Sequence, residues 1–337
     1  MQQIQKTNLF RELALFPEIQ AFLRGKSPLQ ELFEMLPRLS PERKRQYGRL
    51  YASVGHTPVT TLPLANGNRI FVKRECENGM GNNHYSRYWL VHLALAEAFG
   101  LLEPGKDTIL EITSGSSGIS LSMACEALGF RLKIIIPEHL PKGRVDAMTR
   151  PGTTIVKVPG YIGSCRDFFL EEKDKAAYYL PNHSEEKSNL ISDVFSRVAY
   201  EFLEECGAVD NVLLGLGNGS STYGIAKVFK TASPGCLVYS FYPSPRSSKV
   251  VYGLYADQLS FKHISMTKKE TLVDQELFID GIPLDQVAPR FGSEPVVSQW
   301  GHSSLYALYL ASRLAETREG ESFFSIAYDK IERYATE

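Results

Sequence analysis

From about residue 69 onward, short apolar runs alternate with amphipathic stretches of helical length, and this alternation constrains the fold more than any other feature of the chain. Segments 69–73, 108–112, 132–136, 154–158, 211–216 and 237–241 read as strands. Segments 88–99, 142–149, 165–176, 192–205, 221–229 and 303–315 read as helices, with one more running to Leu128. A helix between two consecutive apolar strands is a crossover, and crossovers join parallel strands. The expected class is therefore α/β, a mostly parallel sheet arrangement with helices on both faces. Residues 1–54 carry helical periodicity instead, through Leu9, Leu13, Leu15, Phe16, Phe22, Leu29, Leu32, Phe33, Leu36 and Leu50, with Ser27-Pro28 and Ser40-Pro41 as start signals. This predicts a helical N-terminal extension covering the main body or a partner subunit. The polar segment 267–275 reads as a surface loop or irregular strand.

Charge and composition narrow the function classes. Lys and Arg number 37 against 38 Asp and Glu, so nothing favours a nucleic acid or another polyanion. The longest apolar runs are strand-sized, far below the ~20 residues a membrane span needs. Residues 1–11 lack the apolar centre of a secretory signal, which makes the cytoplasm the expected setting. The five cysteines stand in no metal-ligand or Cys-x-x-Cys spacing and read as reduced, packing thiols. His56, His92, His139 and His263 likewise form no ligand spacing, so no metal site is expected.

Two loops lie where an open α/β sheet binds ligands, between a strand's carboxyl end and the next helix. The first, Thr113-Ser114-Gly115-Ser116-Ser117-Gly118, sets four hydroxyls beside free backbone N–H groups, an array suited to a carboxylate or phosphate. A helix cap alone needs one such hydroxyl. The second, Gly215-Leu216-Gly217-Asn218-Gly219-Ser220-Ser221-Thr222, combines three glycines with hydroxyls at a helix start and suits a phosphate. It lacks the Lys-Ser/Thr ending of a nucleoside triphosphate loop, and its glycine spacing is a poor dinucleotide fingerprint.

These loops stand in a longer series: Gly55-His56-Thr57-Pro58-Val59, Asn78-Gly79-Met80-Gly81-Asn82-Asn83-His84, the two loops themselves, Pro181-Asn182-His183 between them, and Gly301-His302-Ser303-Ser304 near the end. In order and spacing the series resembles the cysteine synthase branch of the fold-type II pyridoxal phosphate enzymes, whose architecture is tryptophan synthase β-like, over roughly residues 55–315. The resemblance implies that Gly217, Asn218, Gly219, Ser220 and Ser221 hold the phosphate of pyridoxal 5′-phosphate and that Ser303 faces its pyridine nitrogen. It implies that Thr113, Ser114 and Ser117 grip a substrate α-carboxylate, with His183 at the position of a supporting glutamine. Ser116 stands where the family usually has an asparagine touching the cofactor. A homodimer acting on a small amino acid, by β-elimination or β-replacement, is implied as well.

The largest departure lies at the Schiff-base lysine. In the pattern Asn-Pro-Thr-Gly-Ser-x-Lys, its place is taken here by His84, and no lysine occurs between Lys73 and Lys106. An imidazole cannot tether the cofactor aldehyde, although it can act as an acid or base. Any cofactor would then be bound non-covalently, with His84 as the possible base and Tyr85 and Arg87 as candidates for lining the cleft or meeting an acidic substrate group. The alternative is a non-catalytic homologue that binds the cofactor or another phosphorylated small molecule for regulation or assembly. The expected organisation is a cofactor-phosphate domain over 55–87 and 180–337 and a smaller substrate-closing domain over 88–179.

Overall fold

The computed structural model describes residues 9, 13, 15–36, 38–181, 183, 190–256, 272–292 and 294–335. Among the described residues, ten strands form two sheets. β1 (Val59–Pro63) and β2 (Arg69–Lys73) make an antiparallel pair joined by a tight turn. The chain then builds a second sheet from β3 (Thr108–Ile112), β4 (Arg131–Pro137), β5 (Thr153–Val158) and the short β6 (Tyr178–Tyr179). Its order is β5-β4-β3-β6 and every pairing is parallel. The first sheet resumes with β7 (Asn211–Gly215), β8 (Leu237–Tyr242), β9 (Gln275–Phe278) and β10 (Ser322–Ile326), in the order β1-β2-β10-β7-β8-β9. Apart from β1 with β2, its pairings are parallel too. The fold is α/β with mostly parallel sheets.

β7 is buried along its whole length, as a near-continuous apolar run between two neighbours should be. β10 escapes the sequence reading, although it lies between β2 and β7 in the middle of the larger sheet. Its Ser322 and Ser325 dilute the apolar signal, yet both are buried; Ser325 donates to the Leu213 carbonyl at 2.8 Å. The polar segment 267–275 lies outside the described residues up to 271, and its last residue opens β9.

The N-terminal periodicity resolves into helices Pro17–Arg24, Gln30–Met35 and Pro41–Tyr51. Ser40 caps the third by accepting from the Arg43 N–H at 3.2 Å. Leu15, counted with the apolar face, is exposed, whereas Leu9, Leu13, Leu32, Phe33 and Leu36 are buried in the main core. The extension lies on helices Tyr85–Ala98 and Leu190–Cys206: Arg43 makes a two-pronged pair with Glu97 at 2.7 and 2.6 Å, and Arg197 donates to the Phe22 carbonyl at 2.8 Å. No described helix is long and apolar enough to cross a membrane.

Candidate functional site

The serine loop leaves β3 as the sequence suggests. Thr113 organises it, its hydroxyl oxygen accepting from the N–H groups of Gly115 at 3.0 Å and Gly118 at 3.2 Å. Gly115 stands at φ 145°, and a side chain there would collide with the Arg144 guanidinium beneath it. Arg144 donates to the Ser114 carbonyl at 2.8 Å and pairs with Asp329 at 3.0 Å. Ser116 donates to the same Asp329 oxygen at 3.0 Å, so its hydroxyl ties this loop to the segment that follows β10. The helix Ser116–Leu128 begins there with no side-chain cap.

The glycine-rich loop leaves β7 in the same manner. Gly219, left-handed at φ 78°, opens the helix Ser220–Ala232. The Asn218 side chain accepts from the Ser220 N–H at 3.0 Å and donates to the Tyr85 hydroxyl at 3.2 Å. Gly217 packs so closely on the Gly253 carbonyl that a Cβ would collide with it.

A third turn delivers His84. Met80, Gly81 and Asn82 all have positive φ, and the Asn83 side chain fastens this bend by donating to the Gly81 carbonyl and accepting from the Tyr85 N–H, both at 2.9 Å. His84 then precedes the helix Tyr85–Ala98. Its ring lies against those of Tyr85, Phe195 and Tyr328, at centroid distances of 4.5, 4.9 and 5.4 Å, and its buried Nδ1 has no hydrogen-bond partner. Burial pushes its pKa down to about 4, against the opposing pull of Glu75. At neutral pH the ring is uncharged.

The three turns meet at one cleft, with about 860 Å³ of space free of protein atoms counting its open mouth. Of the expected residues, His84, Tyr85, Thr113, Ser114, Ser116, Ser117, His183, Gly217, Asn218, Ser221 and Ser303 line it. Ser303 lies at the start of the helix His302–Ala315, while the Tyr334 hydroxyl donates to Asp329 at 3.2 Å. Gly219 and Ser220 shape the turn behind the wall rather than lining it. Among the described residues, the lining includes no lysine. Lys73 lies elsewhere, buried, donating to the Thr57 carbonyl at 2.7 Å and paired with Glu201 at 3.2 Å.

Arg87 corrects the sequence reading. It does not face the cleft. It is buried beneath it, bonded to both Glu75 carboxylate oxygens at 2.8 Å and to Glu201 at 2.5 and 2.8 Å. A guanidinium taken from water needs such partners, and no acidic substrate group can displace them without stranding two carboxylates. Sequence reasoning missed Tyr161, Tyr252, Tyr255, Tyr328 and Asp329 in the wall, and Arg144 and Glu111 behind it. Tyr328 and Asp329 follow the unrecognised β10, which left them without a place in the fold.

This pairing of sheets and loops matches known proteins. The pyridoxal-phosphate dependent enzyme family matches residues 50–276, and the chain belongs to that family. Cysteine synthase from Staphylococcus aureus is 28% identical over 293 residues, covering 83% of this chain and 93% of that protein. Cystathionine beta-synthase from Rattus norvegicus is 26% identical over 282 residues, covering 79% of this chain but 46% of that protein. The chain thus spans about half the length of the cystathionine beta-synthases it matches. Among solved structures, a lysine-to-alanine mutant of O-ureido-L-serine synthase with O-ureido-L-serine bound superposes with a TM-score of 0.76 at 24% identity, covering 85% of this chain and 91% of that one. The O-acetylserine dependent cystathionine beta-synthase from Helicobacter pylori gives a TM-score of 0.75 at 18% identity, covering 86% and 97%. These structural likenesses place the fold.

Proposed function

We propose that the cleft holds pyridoxal 5′-phosphate without a covalent tether and serves a β-elimination or β-replacement on a small amino acid. The observation that supports this reading is the convergence of both donor-rich turns, Ser303 and His84 on one cleft whose described lining has no lysine; by the resemblance, His84 takes the place of the tethering lysine. The residues present suit the group. Gly217, Asn218 and Ser221 line the cleft at the start of the helix Ser220–Ala232, and the close approach of Gly217 to Gly253 admits only a glycine in the phosphate turn. When bound, pyridoxal phosphate supplies an electron sink for negative charge at a substrate's Cα. The 113–117 turn would orient the substrate carboxylate on the backbone N–H groups at the uncapped start of the helix Ser116–Leu128, and Ser303 would be the hydroxyl for the pyridine nitrogen. The surrounding tyrosines exclude water. His84 can accept a proton, weakly. By the same resemblance the assembly is a homodimer, with 88–179 closing as one domain on 55–87 and 180–337.

One observation favours the second reading, a non-catalytic homologue that binds the cofactor or another phosphorylated molecule: His84 is walled by three rings, a packing role as much as a chemical one. Titration with pyridoxal phosphate, followed by visible absorption, tests both. The enzyme reading expects saturable binding, no cofactor fixed to the protein by borohydride, a spectral change on adding a small amino acid, and release of an elimination or replacement product. Binding without any amino-acid response selects the second reading. Absence of binding, or a borohydride-fixed lysine, overturns the non-covalent site.

A further inference from the structure

We propose that His183, backed by Glu111, moves the proton at the substrate's Cα, with the Ser117 hydroxyl as its relay; this rests on the amino-acid chemistry proposed above. Glu111 sits in β3, 3% exposed, in the interior of a parallel sheet. A carboxylate there is costly without partners. One oxygen accepts from the Ile112 N–H at 2.9 Å, and the other stands 3.1 Å from His183 Nδ1, out of line for a straight hydrogen bond. The His183 ring is wedged beside Tyr85 and Trp89, at centroid distances of 5.9 and 5.4 Å, which directs Nε2 to Ser117 Oγ at 3.4 Å.

Trp89 can only donate, and its Nε1–H reaches Ser117 Oγ at 3.0 Å. Ser117 keeps its own proton to donate, and in the proposed arrangement that proton points to a bare Nε2 while the imidazole proton sits on Nδ1, toward Glu111. Nucleophile, base and orienting carboxylate in such a row are a proton-transfer device, and its bonds are characteristically long before substrate arrives. Neither other buried histidine near the cleft has this arrangement. His84 has no partner on Nδ1 and no adjoining carboxylate in contact. His92 is held on both nitrogens by the Tyr88 and Tyr179 hydroxyls, at 2.8 and 2.7 Å.

The proton balance closes within the cleft. Ser117 Oγ takes the Cα proton as its own passes to His183 Nε2, leaving an imidazolium against the Glu111 carboxylate and the Cα electron pair on the substrate. The imidazolium returns the proton, through Ser117, to Cα or to the departing β-substituent. No oxidant or co-reactant is required.

His183→Gln is the discriminating variant, because glutamine retains hydrogen bonding to a carboxylate but cannot carry a proton. Exchange of the Cα hydrogen of a bound amino acid with deuterated solvent is followed by proton NMR, beside cofactor and amino-acid affinities. The expected result is exchange slowed about 100-fold or more, with both affinities held within about threefold. Independently, nitrogen-15 NMR of the ligand-free protein should place the proton on His183 Nδ1, and Glu111→Gln should abolish that preference. Unchanged exchange in His183→Gln, exchange lost only in His84→Ala, or a proton on Nε2 in the unaltered protein overturns the assignment while leaving the cofactor reading intact. Absence of exchange in the unaltered protein with cofactor and amino acid bound overturns it as well. Failure to bind the cofactor removes the reading on which it rests.

Discussion

Replacing Glu201 by glutamine should cost about 3 kcal/mol at pH 7 and about 1 kcal/mol at pH 3. Glu201 belongs to a buried cluster of two cations and two carboxylates with Lys73, Glu75 and Arg87. It accepts two bonds from Arg87 and one from the His56 N–H at 2.9 Å, and pairs with Lys73 at 3.2 Å. Burial alone would raise its pKa; Arg87 and Lys73 more than offset that and hold it near 2, below an ordinary value of 4.5. A depression of about 2.5 units, at 1.36 kcal/mol each, is the ~3 kcal/mol present above the unfolded-state pKa. That contribution fades as pH falls from about 4.5 toward 2. At pH 3 the unfolded group is already protonated and the folded one still mostly ionised, which leaves the smaller figure. Urea unfolding followed by tryptophan fluorescence reads both, since Trp89 and Trp300 lie in separate core clusters. With a slope of ~3 kcal/mol/M, the midpoint should fall by about 1 M at pH 7 and by less than half of that at pH 3. Equal shifts at the two pH values would refute a charge-based role for Glu201 and leave only lost packing.

Three further outcomes are expected. Asp329→Asn strips Arg144 of its counter-charge and should destabilise the protein by about 3–5 kcal/mol, with the serine loop becoming protease-sensitive before the rest in limited proteolysis. Gly217→Ala forces a Cβ against the Gly253 carbonyl; cofactor affinity should drop at least tenfold with circular dichroism unchanged. His84→Phe removes a buried nitrogen without a partner and should raise the melting temperature at pH 5. The folded pKa of His84 lies below the ordinary 6.5, so the native protein loses stability as pH falls from 6.5 toward 4, and the phenylalanine variant should show a flatter profile over that window in thermal scans.

The two loops after Ile112 and Leu214 were legible because each puts glycine and hydroxyl residues between an apolar strand and a helix, a local signal, whereas the turn before His84 was legible only through the family resemblance. Arg87 was not, because its partners Glu75 and Glu201 lie 12 and 114 residues away; nothing near it in sequence distinguishes a buried clamp from a ligand contact. Glu111 reads as one polar residue in a strand until the fold brings His183 against it. The same is true of Arg144, whose short helix Lys142–Met148 looks solvent-facing from its Lys142 and Asp146, and whose partner Asp329 follows a strand that the apolar pattern conceals.

The central position of β10 sets the order in which this molecule can assemble. Strands of the smaller sheet are contiguous within residues 108–179 and can pair while the rest of the chain is still on the ribosome. The larger sheet remains split, with β2 on one side and β7 on the other, until residues 322–326 emerge to fill the gap. Emergence of residues 322–326, more than any local event, then gates the birth of the native state, and a nascent chain stopped before Ser322 would present two open sheet edges to chaperones.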